Sequence, residues 1–337
     1  VENLSLQRKI FDLILEKFPK KSAAVSYLAG LLSLGNNAIY RRLRGDTLLT
    51  LSELYRLAQH FNISLDNVFF DKTDKIIFSN GFFTRQVSSF ENYIDQVFES
   101  AQQLRKMPNA KIFYTSQEIP FFLYFASPAL FAFKMYIYAF TYWNFEHLQD
   151  QKFSIRLIPD ALFYRARKIS DIYNMIPSTE LWNANLIDHT LNQIEYLATI
   201  DMFEKPGDAL LVCDSVHNQI NHAREMAEKG YKYTQNDSNN KPGQQLTLYF
   251  NSFSRTNDTI LITSDIGKIV YTSFGTPNYL TTVDETICSQ IEEWFNSIIR
   301  RSTSITFHSG KERNKFFNDL EKRIGQTRKK IQVLIEE

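Results

Sequence analysis

Residues 20–53 read KKSAAVSYLAGLLSLGNNAIYRRLRGDTLLTLSE, and the breaks in this stretch decide the expected fold of the N-terminal end. Val25, Leu28, Ala29 and Leu32 recur at three- and four-residue spacing, which marks one face of a helix, and Ser22 stands where a cap for that helix is expected. Ser33-Leu34-Gly35 interrupts the pattern. Ile39 and Leu43 then mark a short helix that stops at Gly45, because glycine enters the left-handed region without a Cβ clash. Thr50-Leu51-Ser52-Glu53 reads as a capping box, in which hydroxyl and carboxylate satisfy each other's unpaired amides. The helix it opens carries Leu51, Leu54, Leu57, Ala58 and Phe61. Working outward, Leu6, Ile10, Leu13, Ile14 and Phe18 predict an amphipathic helix ending at Pro19. On the other side, Ser64 is expected to start a fifth short helix through Val68 and Phe69.

From Ala24 to Phe69, without a gap, this order resembles the helix-turn-helix of Cro and phage-repressor type. Leu28-Ala29 matches the Leu-Ala pair of the motif's first helix. Leu32, Leu34 and Ile39 stand at the buried positions around the turn, and Arg44-Gly45 at the close of the second helix. The run Tyr40-Arg41-Arg42-Leu43-Arg44-Gly45 looks most like regulators associated with the Bacteroidetes. The resemblance implies that the helix around Ile39 enters a DNA major groove with its N-terminal part near base edges. Its expected base-contacting residues are Asn36, Asn37, Tyr40, Arg41 and Arg44, since Asn pairs with adenine and Arg with guanine at two points each. Lys20, Lys21, Ser22 and Arg42 are the expected phosphate contacts. Three positions depart from the pattern: Val25 replaces a common Gln, Ser33 a common turn Gly, and Arg42 an expected apolar residue.

Charge agrees with that reading only locally. The 337-residue chain has a formal net charge of +1, so nothing global points to nucleic acid. Between residues 20 and 56, however, six basic side chains (Lys20, Lys21, Arg41, Arg42, Arg44, Arg56) face two acids (Asp46, Glu53), a local balance of +4. The two cysteines, Cys213 and Cys288, give no disulfide framework and no zinc spacing. With no apolar signal segment in view, this leads to the expectation of a cytoplasmic protein. The run Phe121–Phe145 (FFLYFASPALFAFKMYIYAFTYWNF) is apolar enough to test for a membrane span. Ser127-Pro128 interrupts it and Lys134 lies where charge is least tolerated in a bilayer, so a buried core segment is expected and no membrane partner.

The fold expected for the whole is multi-domain: an all-α helix-turn-helix domain (residues 1–72), a larger mixed α/β (α+β) regulatory domain (73–310), and a C-terminal helix (311–337). Lys75–Phe78, Lys111–Thr115, Leu246–Phe250, Ile260–Thr263 and Lys268–Thr272 read as strands, and residues 160–230 as mostly helical. Phe317, Leu320, Ile324, Thr327, Ile331 and Leu334 follow a heptad that suits a dimer contact, and a homodimer is expected of a helix-turn-helix protein. The aromatics of 113–145 would suit a pocket for a small-molecule effector. Residues Thr259–Ser304 resemble, weakly, the sensor half of regulators carrying a catalytically dead phospholipase D-like domain. His308 and Lys311 are spaced one residue too wide for that family's active motif. His217 and His222 are five apart, not at the spacing that converges on a metal. No cofactor or metal is expected, nor an enzyme. The expected function is a sequence-specific regulator that binds double-stranded DNA and carries a non-catalytic sensing and dimerisation domain. The alternatives are an adaptor using its helix-turn-helix for protein contact and a DNA-tethered phosphodiesterase-like enzyme.

Overall fold

A computed structural model describes residues 2–61, 63, 65, 68, 76, 78–79, 87–234, 242–252, 257–275 and 277–336. The chain divides into two compact units, Val1–Ile76 and Ile77–Glu337.

The first unit is helical, with α1 (Glu2–Leu15), α2 (Lys21–Leu32), α3 (Asn36–Arg44) and α4 (Leu51–Phe61). Ile10, Phe11, Ile14, Val25, Leu28, Leu32, Ile39, Leu57 and Val68 form its buried core. α1 stops at Leu15, four residues before Pro19, and Leu13 is exposed where the spacing placed it inside. Leu51 is likewise 84% exposed, because α4 begins at that residue and turns Leu54, Leu57 and Phe61 inward. Of the fifth helix, Ser64 and Phe69 lie outside the described residues; Leu65 and Val68 are helical, and Val68 is buried.

The second unit is built on a seven-stranded mixed sheet in the order β6-β5-β4-β1-β2-β3-β7. Its elements are α5 (Phe90–Arg105), β1 (Lys111–Ser116), α6 (Phe121–Tyr124), α7 (Pro128–Tyr138), α8 (Asp160–Asn174), β2 (Ser178–Asn183), α9 (Asp188–Thr199), α10 (Gly207–Lys229), β3 (Leu246–Asn251), β4 (Thr259–Ser264), β5 (Gly267–Ser273), β6 (Tyr279–Thr282), α11 (Glu285–Ile299), β7 (Thr303–Ser304) and α12 (Gly310–Glu336). β1, β2 and β3 are parallel, while β4, β5, β6 and β7 join antiparallel. An α+β class describes this arrangement.

Several elements depart from expectation. β2 interrupts the region read as helical; it is central and buried on both faces, so its sequence STELWN shows no alternation. β6 and β7 are too short to leave a periodic signal. The strand expected over Lys75–Phe78 falls partly outside the described residues, and Ser79 pairs with Thr281 beside it.

The apolar run Phe121–Phe145 folds into α6, α7 and a π-helical turn at Ala139–Trp143. Every residue of α7 from Ala129 to Tyr138 is buried, which is why the helix is apolar all round. Lys134 is fully buried and donates to Glu118 at 2.8 Å and to Gln193 at 3.1 Å. No described helix is long and apolar enough to cross a membrane. In α12, the heptad positions Phe317, Leu320, Ile324, Thr327 and Ile331 are buried within the unit, and Leu334 is exposed. The seam that a second copy would have used is therefore largely occupied inside one chain.

Candidate nucleic-acid interface

The turn between α2 and α3 determines how α3 is held. Ser33 closes α2 in the left-handed region (φ 57°, ψ 44°), and the amide of Leu34 donates to Ala29 O at 2.9 Å. That explains the departure noted at this position: a serine occupies a conformation for which glycine is the usual residue. Gly35 then caps α3 in extended backbone, without a side-chain bond, and its carbonyl accepts from Ala38 and Ile39. α2 begins in the same way. Lys20, not Ser22, is its N-cap, and the Lys20 carbonyl accepts from Ala23 and Ala24. The cap expected of Ser22 is therefore corrected: the helix starts two residues earlier than a Ser22 cap implies and leaves Ser22 exposed in its first turn. Neither helix start has a side-chain cap, so both present amide N–H groups together with the positive end of the helix dipole.

On α3, Ile39 is buried and Leu43 packs against the core. Asn37, Arg41 and Arg44 are exposed along one stripe, with Tyr40 beside them and half-buried against the core. These positions follow i, i+3, i+4 and i+7, the spacing of a single helix face. The stripe spans about 10 Å of helix at 1.5 Å per residue. Asn36 is exposed at the helix start. Lys20, Lys21 and Arg41 are exposed and form no ion pair among the described residues. Arg44 meets Asp46 at 2.9 Å with both side chains largely in solvent, a pairing of little intrinsic strength.

Arg42 points elsewhere. Its guanidinium forks onto Glu53, with Nε to Oε2 at 3.1 Å and Nη2 to Oε1 at 2.8 Å, and Nη1 donates to Ala38 O at 3.2 Å. Both side chains are mostly buried. Glu53 is also the acid of the capping box: it accepts from the Thr50 amide at 2.9 Å, and its own amide donates to Thr50 Oγ1 at 3.3 Å. Burial alone would raise the Glu53 carboxyl, but the bonds from Arg42 and Thr50 outweigh it and hold the group below the ordinary value. Arg42 thus ties α3 to the start of α4, and the apolar position it departs from is filled by an internal ion pair.

Gln7 was not singled out by the sequence. Its side chain donates to Arg42 O at 2.7 Å and Thr47 O at 3.0 Å and accepts from the Leu49 amide at 2.7 Å, so one amide satisfies the backbone of the loop between α3 and α4. The available signal was its place on the apolar stripe of α1, three residues before Ile10.

The other chemistry-bearing residues do not converge. His222 is buried against Tyr233 O at 3.0 Å, whereas His217 contacts Asn221. His308 and Lys311 are both exposed. Cys213 and Cys288 are buried, and burial pushes the Cys213 thiol up to about 12. No cluster able to hold a metal occurs among the described residues. No family model, curated protein or solved structure matches the chain.

Proposed function

We propose that the chain is a sequence-specific DNA-binding regulator in which α3 reads base edges and the two uncapped helix starts grip the phosphate backbone. The observation that carries this reading is the exposed stripe Asn37, Arg41 and Arg44 on a helix held rigidly from behind by Ile39, Leu43 and the Arg42–Glu53 pair. The side chains on the stripe suit adenine and guanine. Lys20, Lys21 and the amides at the start of α2 supply the cations and donors that phosphate contacts use. Arg42 is left out of the phosphate set, because its donors are engaged within the unit. In this reading the second unit is a non-catalytic sensing domain, and a homodimer presents two such helices to two half-sites.

An adaptor role draws support from the exposed Leu51 and Tyr55 on α4, which would suit protein contact. Selection of bound duplexes from a random pool by the full chain separates the two. A DNA-reading α3 yields an enriched sequence, and an adaptor yields none.

A further inference from the structure

The last helix of the second unit, α12, separates its charges by face. Its arginines are engaged within the chain: Arg313 meets Glu228 at 3.7 Å, Arg323 pairs with Asp188 and with Asp319, and Arg328 meets Asp214 at 2.8 Å. Glu321 is held in the same way by Arg224 at 3.0 Å, and Lys330 reaches Glu195 of α9 at 3.0 Å. The side of α12 that packs inward is marked by the buried Phe317, Leu320, Ile324, Thr327 and Ile331.

Opposite that side lie Lys311, Lys315, Lys322 and Lys329. All four are exposed, and none forms an ion pair or hydrogen bond among the described residues. Intervals of four, seven and seven residues keep them within about 40° of one another around the helix axis, and the line they draw is about 27 Å long. Asn318, Gly325 and Gln326 fill the gaps, so neither an acid nor an apolar side chain lies on this face between Lys311 and Lys329. A chain with a formal net charge of +1 thus carries an uncompensated row of cations along one helix.

The chemistry of the row favours a phosphodiester backbone. An ammonium group is a point charge on a flexible stem, without the planar fork through which arginine selects a carboxylate. The arginines of α12 that have that fork are turned to partners in the chain. Point charges repeated over about 27 Å suit a polyanion whose charge also repeats along its length, as it does in duplex DNA. An amphipathic helix lying in a membrane surface carries aliphatic or aromatic side chains beside its lysines, and this face has none between Lys311 and Lys329.

We propose that the lysine face of α12 holds the phosphate backbone of duplex DNA without regard to sequence, giving the second unit a DNA contact of its own. The choice of DNA as the polyanion rests on the function proposed for the chain.

The test is the affinity of the full chain for a duplex of scrambled sequence, about 30 base pairs long, measured by fluorescence anisotropy from about 50 to about 200 mM salt. Replacing Lys311, Lys315, Lys322 and Lys329 together by glutamine preserves helix propensity. It should lower the magnitude of the salt slope by about three and weaken binding at least about tenfold at the low-salt end. Arginine at the same four positions should retain the parent's slope. A control with the same change in net charge, Lys106→Gln/Lys111→Gln/Arg156→Gln/Lys205→Gln, on exposed residues of other segments, should lower the slope by less than about one. A glutamine variant of α12 that binds as the parent or the control does would overturn the proposal. Lysine-dependent binding of phosphatidylserine vesicles, with duplex affinity unchanged, would overturn it in favour of a membrane surface. Absence of duplex binding at the low-salt end would overturn it together with the DNA-binding function. A chain that enriches no sequence from a random pool, yet shows the α12-dependent slope, would refute base reading by α3 and uphold this contact.

Discussion

Arg41 and Arg42 are neighbours in sequence with opposite expected roles, and substituting Arg42 tests that division. In Arg42→Ala, Glu53 loses two charge-assisted hydrogen bonds and the Ala38 carbonyl loses one. The pair is mostly but not fully buried, at 12% and 14% side-chain exposure. Its loss should fall between that of a surface pair, below about 1 kcal/mol, and that of a fully buried one, about 3–5 kcal/mol. We expect about 2 kcal/mol, or about a 30-fold increase in local opening. Amide hydrogen exchange of the full chain reads this directly as faster exchange in α3 and α4, with the second unit unchanged. The pH dependence has a definite sign. Glu53 titrates lower in the folded state than when unfolded. The stability it contributes is therefore complete above its unfolded value and is lost as pH falls through the folded one. Parent and variant should accordingly converge in acid. Unchanged protection of α3 and α4 in Arg42→Ala, together with a DNA salt slope reduced by about one phosphate contact, would refute the assignment and return Arg42 to the backbone-contacting set.

Further outcomes follow from single positions. Ser33→Gly should stabilise the first unit by about 0.5–1 kcal/mol: it relieves a left-handed serine costing about 1–2 kcal/mol and gives part of that back in unfolded-chain entropy. Slower exchange in α2 and α3 would show it. Gly230→Ala should destabilise the second unit by about 1–2 kcal/mol in a chemical melt, because Gly230 lies at φ +73°; a new Cβ would also meet the Phe307 ring, whose exposure lets it swing aside. Lys232, fully buried with its ammonium donating to Tyr173 O and Ile176 O, is pushed down to about 7 by burial, an effect that Glu180 partly opposes. A lysine that titrates lower when folded than when unfolded binds fewer protons in the native state between those values. Stability of the second unit should therefore rise with pH from about 7 toward the unfolded value, and Lys232→Met should flatten that rise in melts across the range.

How much of this was legible in the sequence differs between the units, for physical reasons. In the first, each helix carries its own local punctuation. The Thr50–Glu53 box, Gly45 and the Leu28, Leu32 and Ile39 spacing are short-range features, and they were read at nearly their observed positions. What escaped was mostly long-range, Gln7 serving the loop before α4 and Arg42 reaching Glu53; the one local miss was the cap of α2 at Lys20, where backbone conformation rather than the serine hydroxyl sets the first turn. In the second unit, β4 and β5 were readable from the strand runs Ile260–Thr263 and Lys268–Thr272. β2 was not, since a strand buried on both faces has no two-residue period and STELWN contains a glutamate. Glu180 is tolerated there because Ser178 and Trp182 donate to it at 2.7 and 3.0 Å, and Tyr173 also donates to it, partners that sequence alone cannot assemble. The aromatics of 113–145 were expected to suit a pocket. Tyr114, Phe121, Tyr124 and Tyr138 do line one, but its other walls come from α5, Asp258 and Tyr279, far away in the chain.

The central claim is that α3 reads DNA while the start of α2 holds the backbone. It is tested most directly by measuring affinity for a selected duplex against salt concentration in the parent, Arg41→Ala and Lys20→Ala/Lys21→Ala chains. The account predicts that Arg41→Ala loses about 1–3 kcal/mol and relaxes preference at one base position. The paired lysine substitution should weaken all sequences alike and lower the salt slope by about two contacts. Undiminished affinity and sequence preference in Arg41→Ala, in a chain whose amide exchange shows α3 intact, would contradict it.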